Sequence, residues 1–246
     1  MAKVAPFHEF APIALAPREG VFVLTGAGVS AESGIRTFRD ANGMWEEYRF
    51  EEVASPEGWA RDAELVWRFY SERRAQAAGC APNAAHLALA RLERSLGARL
   101  FLCTQNGDPL HERAGSAHAV HMHGELFRSR CESCDAPDFV DDRTYFSAAA
   151  IPRCACGARV RPHIVWFGEG PFFLDEIATA LDRCDVFVTI GSSGVVYPAA
   201  GFVRQVRRRP GVRAVYVGPE EPENAEAFDE CRLGKAGDVV PSLFAV

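Results

Sequence analysis

Thr104–Arg113 reads TQNGDPLHER, and its first eight residues gather two amides, a carboxylate and an imidazole. Amides both donate and accept, a carboxylate accepts, and imidazole titrates near neutral pH, so together they suit a ligand loop. Ten residues beyond His111 comes HMHGEL (His121–Leu126), where a histidine sits beside a glycine that a substrate can approach closely. Seven histidines occur in the chain, so most are structural. A nearby ligand-binding turn is what singles these out.

That turn is GAGVSAESG (Gly26–Gly34), directly after the apolar run VFVLT. A glycine-rich turn between a buried strand and a helix presents backbone N–H groups and a helix N-terminus to an anion such as a pyrophosphate. Gly26 and Gly28 let backbone approach ligand, and Ala31 stands where the dinucleotide fingerprint accepts Gly or Ala. The same pattern also describes an ordinary tight turn. No acidic residue at the end of a second strand completes the dehydrogenase pattern.

Four of the eight cysteines form two close pairs, Cys131-x2-Cys134 and Cys154-x-Cys156. In a polar segment this spacing reads as a tetrathiolate zinc site. The second pair is one residue short of the usual spacing, and Gly157 supplies permissive backbone for a tight knuckle. Four thiolates leave no open position, so the metal is expected to be structural, holding a segment too small to bury a core. Cys80, Cys103, Cys184 and Cys231 lie in or beside apolar patterns and are expected to pack as small hydrophobes.

These groups need a frame. VFVLT (Val21–Thr25), LFLCT (Leu100–Thr104), HIVWF (His163–Phe167), VFVTI (Val186–Ile190) and AVYV (Ala214–Val217) lack alternation, as strands covered on both faces should. Helical patterns run over Ala63–Ala78, with Asp62 placed to cap it, over Asn83–Leu96 and Leu174–Cys184, and more weakly over Ala199–Arg209. The expected fold class is α/β, a doubly wound parallel-sheet (Rossmann-like) domain with a small inserted zinc-binding module. Residues 1–127 and 162–246 are assigned to the main domain and 128–161 to the module, with the helical part of the small domain within 40–80. TQNGDPLH then follows a buried strand at its C-terminal end, where open sheets bind ligands. The RQVRRR run at 204–209 is read as the solvated face of a helix.

At 246 residues and 48% apolar, the chain fits one large domain or a main domain with an insertion. A net charge of −6 and a pI near 5.7 argue against a nucleic-acid partner. No secretory signal and no run approaching ~18 apolar residues are present. A soluble, cytoplasmic protein with reduced thiols and no membrane partner is expected.

Taken together, the motifs resemble the sirtuins, the NAD-dependent protein-lysine deacylases. GAGVSAESGIRTFRD (Gly26–Asp40), TQNGDPLHERAG, HMHGEL, the two cysteine pairs, RPHIVWFGE (Arg161–Glu169), GSSGVVYPAA (Gly191–Ala200) and GKAGDVVPSL (Gly234–Leu243) follow the family's order across nearly the whole chain. The resemblance implies NAD as co-substrate, structural zinc, and acyl-lysine proteins or peptides as substrates; a monomer is the working expectation, with no motif that fixes the oligomeric state. It implies that Ala27, Phe38 and Arg39 flank the nicotinamide ribose and phosphates, in a turn with Gly26, Gly28 and Ser30. Gln105, Asn106 and Asp108 would hold the ribose and the carboxamide, with Asn106 also counted as catalytic. His123 would be the general base, accepting a proton from a ribose hydroxyl. Gly191, Ser192 and Ser193 would contact the adenosine side, and Ala236 would lie near the adenine. Val165, Phe167 and Gly168 would line the acyl-lysine tunnel, with the substrate added as a strand. The implied products are free lysine, nicotinamide and acyl-ADP-ribose.

Tyr70 and Arg73 share a helix face and resemble the Tyr-x-x-Arg of the branch that removes succinyl and malonyl groups. An arginine fork grips a carboxylate in two places and a tyrosine hydroxyl adds a third bond. Acetyl removal is expected beside it. Two positions depart from the family. Gly107 replaces a branched residue near the nicotinamide pocket, loosening the backbone, while Pro109 restiffens the loop. Gly218 stands where an asparagine commonly binds the adenosine ribose. Weaker NAD or nicotinamide binding is the expected result. The competing readings are a mono-ADP-ribosyltransferase on the same fold, an NAD-metabolite binding protein with a weakened site, and a zinc-ribbon DNA-binding protein, which the acidic balance disfavours.

Overall fold

Val21 and Val23 point to one side of their strand and Phe22 and Leu24 to the other, and all four are buried. A strand apolar on both faces must lie inside a sheet covered by helices on both sides. The computed structural model shows this arrangement; it describes residues 2–36, 44–45 and 48–245, with only the backbone of 44 and 45.

The chain opens with β1 (Lys3–Pro6) and β2 (Val21–Thr25). Two short antiparallel strands, β3 (Met44–Trp45) and β4 (Tyr48–Arg49), lead into α1 (Phe50–Val53), α2 (Pro56–Arg61) and α3 (Ala63–Ala78). Then come α4 (Ala84–Leu96), β5 (Leu100–Thr104), α5 (Leu110–Arg113) and β6 (Ala119–His121). A small sheet follows, of β7 (Gly124–Cys131), β8 (Phe139–Val140) and β9 (Val160–Ile164). The chain continues with α6 (Leu174–Arg183), β10 (Val186–Ile190), α7 (Phe202–Val206), β11 (Arg213–Gly218), β12 (Glu230–Leu233) and α8 (Ala236–Val239).

Seven strands form the main sheet in the order β1-β12-β11-β10-β2-β5-β6, every neighbour parallel. Leu89, Leu92 and Leu96 of α4 cover one face, with Val239 of α8. Ile177 and Leu181 of α6 and Phe202, Val203 and Val206 of α7 cover the other. From β2 the chain builds outward through β5 and β6 on one side and through β10 to β12 on the other. The strand order therefore reverses between β2 and β10, and the loops after them border a crevice at the C-terminal edge.

Asp62 caps α3 as expected, Oδ1 accepting from Leu65 N at 2.9 Å, and Asn83 Oδ1 caps α4 through Ala85 N at 2.9 Å. Other expectations need correction. HIVWF is not a strand of the main sheet. Its first two residues end β9, which pairs antiparallel with β7, and the rest leaves as a loop with Val165 N donating to His123 O at 2.9 Å. Its apolar residues serve two neighbours, Ile164 the pocket and Trp166 the small lobe's core, which explains the missing alternation. No helix follows VFVLT; two 3-10 turns, Ala27–Val29 and Ala31–Ser33, take its place. The weak helical pattern at 199–209 resolves into a 3-10 turn and α7.

In the arginine run, Arg204 pairs with Glu226 and Arg207 with Asp229 at the surface. Cys103, Cys184 and Cys231 are buried, but Cys80 is only half-buried, just past the end of α3.

The second core joins α1–α3 to the small sheet through Val53, Trp59, Trp67, Phe69, Tyr70 and Trp166. Arg74 crosses this seam fully buried. It donates to the carbonyls of Leu126 (2.7 Å), Arg143 (2.6 Å) and Arg128 (3.1 Å) and to Ser129 Oγ (3.1 Å). Asp141, itself buried, lies 3.4 Å from the guanidinium.

Candidate active site

A cavity of about 300 Å³ opens at the C-terminal edge, between the main sheet and the small lobe. Gly26, Ala27 and Gly28 line it from the loop after β2, and Gly191, Ser192 and Ser193 from the loop after β10. Gln105, Asn106, Gly107 and Asp108 come from the loop after β5. His123, Tyr70, Arg73, Val165, Phe167 and Gly168, also named from the sequence, line it as well.

The glycines of the turn after β2 also face a second neighbour, the loop after β10. A Cβ on Gly26 would lie 2.8 Å from Gly191 O, and one on Gly28 2.7 Å from Gly191 Cα. Gly26 N donates to Ile190 O at 2.9 Å and Gly28 N to Gly191 O at 2.8 Å. These glycines let the two loops at the switch point touch each other. Gly124 is similar: a Cβ there would meet His163 O at 2.0 Å, so its bareness serves strand pairing and not substrate approach.

Behind the cavity lies a buried polar net. Asn106 Nδ2 donates to Gly26 O and to Ser30 Oγ, both at 3.2 Å. Ser30 Oγ donates to Asp108 Oδ2 at 3.0 Å, and Asp108 Oδ1 accepts from Leu110 N at 3.2 Å. Burial pushes the Asp108 carboxyl up, while the Leu110 N–H and Ser30 hydroxyl oppose that. Gln105 Nε2 reaches across to Ser192 Oγ at 3.0 Å, tying the loops after β5 and β10. His123 Nδ1 lies 3.2 Å from Gln105 O. A carbonyl only accepts, so Nδ1 carries the proton and Nε2 keeps its lone pair. Burial lowers the pKa of His123, the backbone bond acting in the opposite sense.

Gly107 is not loose. Its carbonyl accepts from Leu126 N at 2.7 Å, and a Cβ there would meet Ile164 Cδ1 at 3.1 Å. The β9 side chain fills the space that a branched residue at 107 would take. Ser30, Gly218 and Ala236 do not line the cavity. Ser30 is buried beneath it, Gly218 ends β11 with Tyr216 Oη 2.2 Å from where its Cβ would be, and Ala236 starts α8. Phe38 and Arg39 lie outside the described residues.

Residues 26–198 match the family model described as the Sir2 family. The chain belongs to the Sir2 family. It is 53% identical over 225 residues to an NAD-dependent protein deacylase of Caulobacter vibrioides, an alignment covering 90% of this chain and 94% of that one. A solved Sir2 homolog–NAD complex superposes with a TM-score of 0.83 at 42% identity, covering 92% of this chain and 88% of the other. A Sir2 protein with a deacetylated peptide and 3′-O-acetyl ADP ribose superposes at 0.76 and 28% identity, covering 90% of each chain.

In this sirtuin the four expected cysteines converge. Cys131 and Cys156 Sγ lie 3.6 Å apart, as do those of Cys134 and Cys154, and all four sulfurs fall within 4.8 Å of one another. A tetrahedron with ~2.3 Å zinc–sulfur bonds has edges of about 3.8 Å, so the set fits structural zinc. Gly157 takes a φ of 89° and its N–H donates to Cys154 O at 2.9 Å, the tight knuckle expected there.

Sequence reading passed over several residues that shape the sirtuin cavity. Trp166 Nε1 donates to Tyr70 Oη at 3.1 Å. Arg161 lies over the Trp166 ring, 3.3 Å from its centroid, and pairs with Glu169 at 2.6 Å. Glu169 also accepts from Trp166 N at 2.8 Å, so the loop carrying Val165–Gly168 is clamped at both ends. The Arg-x-x-x-x-Trp-x-x-Glu pattern was visible, but no rule of spacing joins its members across a strand end.

Proposed function

We propose that this sirtuin is an NAD-dependent protein-lysine deacylase that removes succinyl and malonyl groups, and acetyl groups beside them, from lysine in proteins or peptides. The observation that carries the acyl preference is that Tyr70 and Arg73 line the same cavity as His123. An indole N–H can only donate, so Tyr70 accepts from Trp166 and keeps its own O–H to give to an acyl carboxylate. Burial pushes the Tyr70 phenol well up, which keeps that proton in place. Arg73 stacks over Phe69, 5.3 Å from its centroid, and its planar fork suits a carboxylate.

The net of Asn106, Ser30 and Asp108 and the paired loops after β2 and β10 fit a dinucleotide at the switch point. NAD would supply the ribose carbon that the acyl oxygen attacks as nicotinamide leaves, and the ribose hydroxyl that ends up carrying the acyl group. Asn106 and Asp108 would hold the nicotinamide end, and Ser192 and Ser193 the adenosine end. His123 accepts a proton at Nε2, its ring held by the Gln105 carbonyl. Phe167 and Val165 keep water from the acyl-lysine. Zinc stays outside the reaction.

The test is NAD-dependent release of the acyl group from succinyl-lysine and acetyl-lysine peptides, with free lysine and acyl-ADP-ribose as products. Arg73→Met should lower desuccinylation by about 10²-fold while deacetylation changes little, the size of a lost charge-assisted contact. Equal falls in both would remove the carboxylate anchor. ADP-ribosylated peptide as the product would replace the deacylase reading altogether.

A further inference from the structure

His121 ends β6 and is 6% exposed. Both of its ring nitrogens face groups that only accept. Nδ1 lies 2.7 Å from the Asn106 carbonyl oxygen and Nε2 lies 2.9 Å from Glu112 Oε1. A neutral imidazole has a single N–H, so it would turn a lone pair on one of these oxygens. Both contacts close together only when the His121–Glu112 pair binds one further proton, as imidazolium against carboxylate.

The place of this pair matters. Asn106 is fixed on its side-chain end by Gly26 O and Ser30 Oγ, and on its backbone end by His121. Two residues further on, His123 takes the preceding carbonyl, that of Gln105. The two histidines thus hold consecutive carbonyls of the Gln105–Asn106 segment. Glu112 is 41% exposed and reaches the ring from α5.

We propose that His121 and Glu112 are a proton-dependent positioning pair, clamping the Asn106 carbonyl so that Asn106 and Asp108 stay aimed into the cavity. Neither residue touches the reacting atoms. The charged groups around the ring fit this. Glu112 from α5 and Glu125 from β7 favour the imidazolium, as does Asp108 from the loop after β5 when ionised. His111, on α5, is buried and held neutral, its own pKa pushed far down by that burial. Burial alone would lower the pKa of His121 too, but the hydrogen bond and charge of Glu112 outweigh it and raise it above 6.5. The proton is therefore held below the raised pKa and lost as pH rises through it. Above that point the one remaining N–H goes to the stronger acceptor, the Glu112 carboxylate. Nδ1 then turns its lone pair on the Asn106 carbonyl, the clamp opens, and turnover falls on the alkaline side.

The inference rests on the deacylase reading for its kinetic readout but not for its spectroscopic one. In the full-length protein, nitrogen-15 histidine spectra, with His121 assigned through His121→Gln, should show both ring nitrogens protonated at neutral pH. A singly protonated His121 there overturns the proposal. In kinetics, Glu112→Ala should move the alkaline limb of kcat down by about one pH unit, as the imidazolium loses its partner. Glu112→Gln offers an amide that can donate to a neutral Nε2, so it should flatten that limb. Alkaline limbs of both variants superimposed on the parent's would leave the pair a packing feature and end the proposal. If no acyl peptide turns over, the deacylase reading fails by itself. The backbone amide shifts of Asn106 and Asp108 then decide: following the His121 titration supports the clamp, and indifference to it overturns it.

Discussion

His123 and Gly107 show how much a single residue's surroundings decide. His123, the proposed base, can accept a proton only when neutral, and burial lowers its pKa below 6.5. Activity should therefore hold as pH falls past the range of a free imidazole, and be lost only as pH drops through the depressed value. A pH profile of kcat/KM checks this, and an acid limb at or above 6.5 would contradict it. Gly107 looked like a missing side chain, yet Ile164 Cδ1 occupies the space. Gly107→Ile should crowd Ile164 and cost about 1–3 kcal/mol in stability, the usual range for overpacking. Pairing it with Ile164→Val should recover most of that loss, measured by urea unfolding. The motif TQNGDPLH named the right segment. It could not tell that a residue 57 positions later fills its gap, because that contact exists only between β9 and the loop after β5.

At the scale of the element, α3 presents Tyr70 and Arg73 to the cavity while Arg74 anchors its other side. Periodicity and the Asp62 cap were enough to bound this helix at Ala63–Ala78. Periodicity does not choose which arginine of an adjacent pair goes inward. The carbonyls of Leu126, Arg128 and Arg143, with Asp141, make that choice by satisfying every side of the Arg74 guanidinium. Arg74→Met should destabilise the protein by about 3–5 kcal/mol, because it leaves the carbonyls of Leu126, Arg128 and Arg143 without their donor and takes one of its cations from the buried Asp141. Burial would raise the Asp141 pKa, but its bonds to Arg143 and Ser129 and the Arg74 charge outweigh that and hold it below the usual range. The stability Asp141 contributes is thus present above the ordinary carboxylate pKa and lost as pH falls through the lowered one. Acid unfolding of the parent against Asp141→Asn should show that difference, with the variant less sensitive to pH.

Over the whole molecule, the cavity joins two bodies of different construction. One wall comes from loops of the parallel sheet, where the proposed function puts the adenosine, and the other from β9 and the loop after it, where it puts the acyl-lysine, on the lobe with the four cysteines. Removing zinc with a strong chelator should loosen β7 to β9 while the main sheet persists. KM for the acyl peptide should then rise by roughly tenfold or more and KM for NAD by much less, in line with losing positioning at one end only. Steady-state kinetics on the chelated protein, with zinc added back to restore it, is the check. Equal rises in both constants would mean that the lobe also supports the dinucleotide side.

Composition and order of residues alone determined the strands of the sheet's centre, the covering helices α4 and α6, the metal-binding pairs and the family. Each of these depends on neighbours in sequence: apolar runs, caps, and Cys-x2-Cys spacing. The edge strands β1 and β6, and β12 beside β1, were not legible, since they are short and β12 carries Glu230 and Arg232. Only the tertiary structure decided that HIVWF turns away from the main sheet, that Gly26 and Gly28 press against Gly191, and that His121 faces two acceptors at once. Those outcomes depend on which surfaces and which lone pairs confront one another across the fold, and one-dimensional spacing holds no record of that.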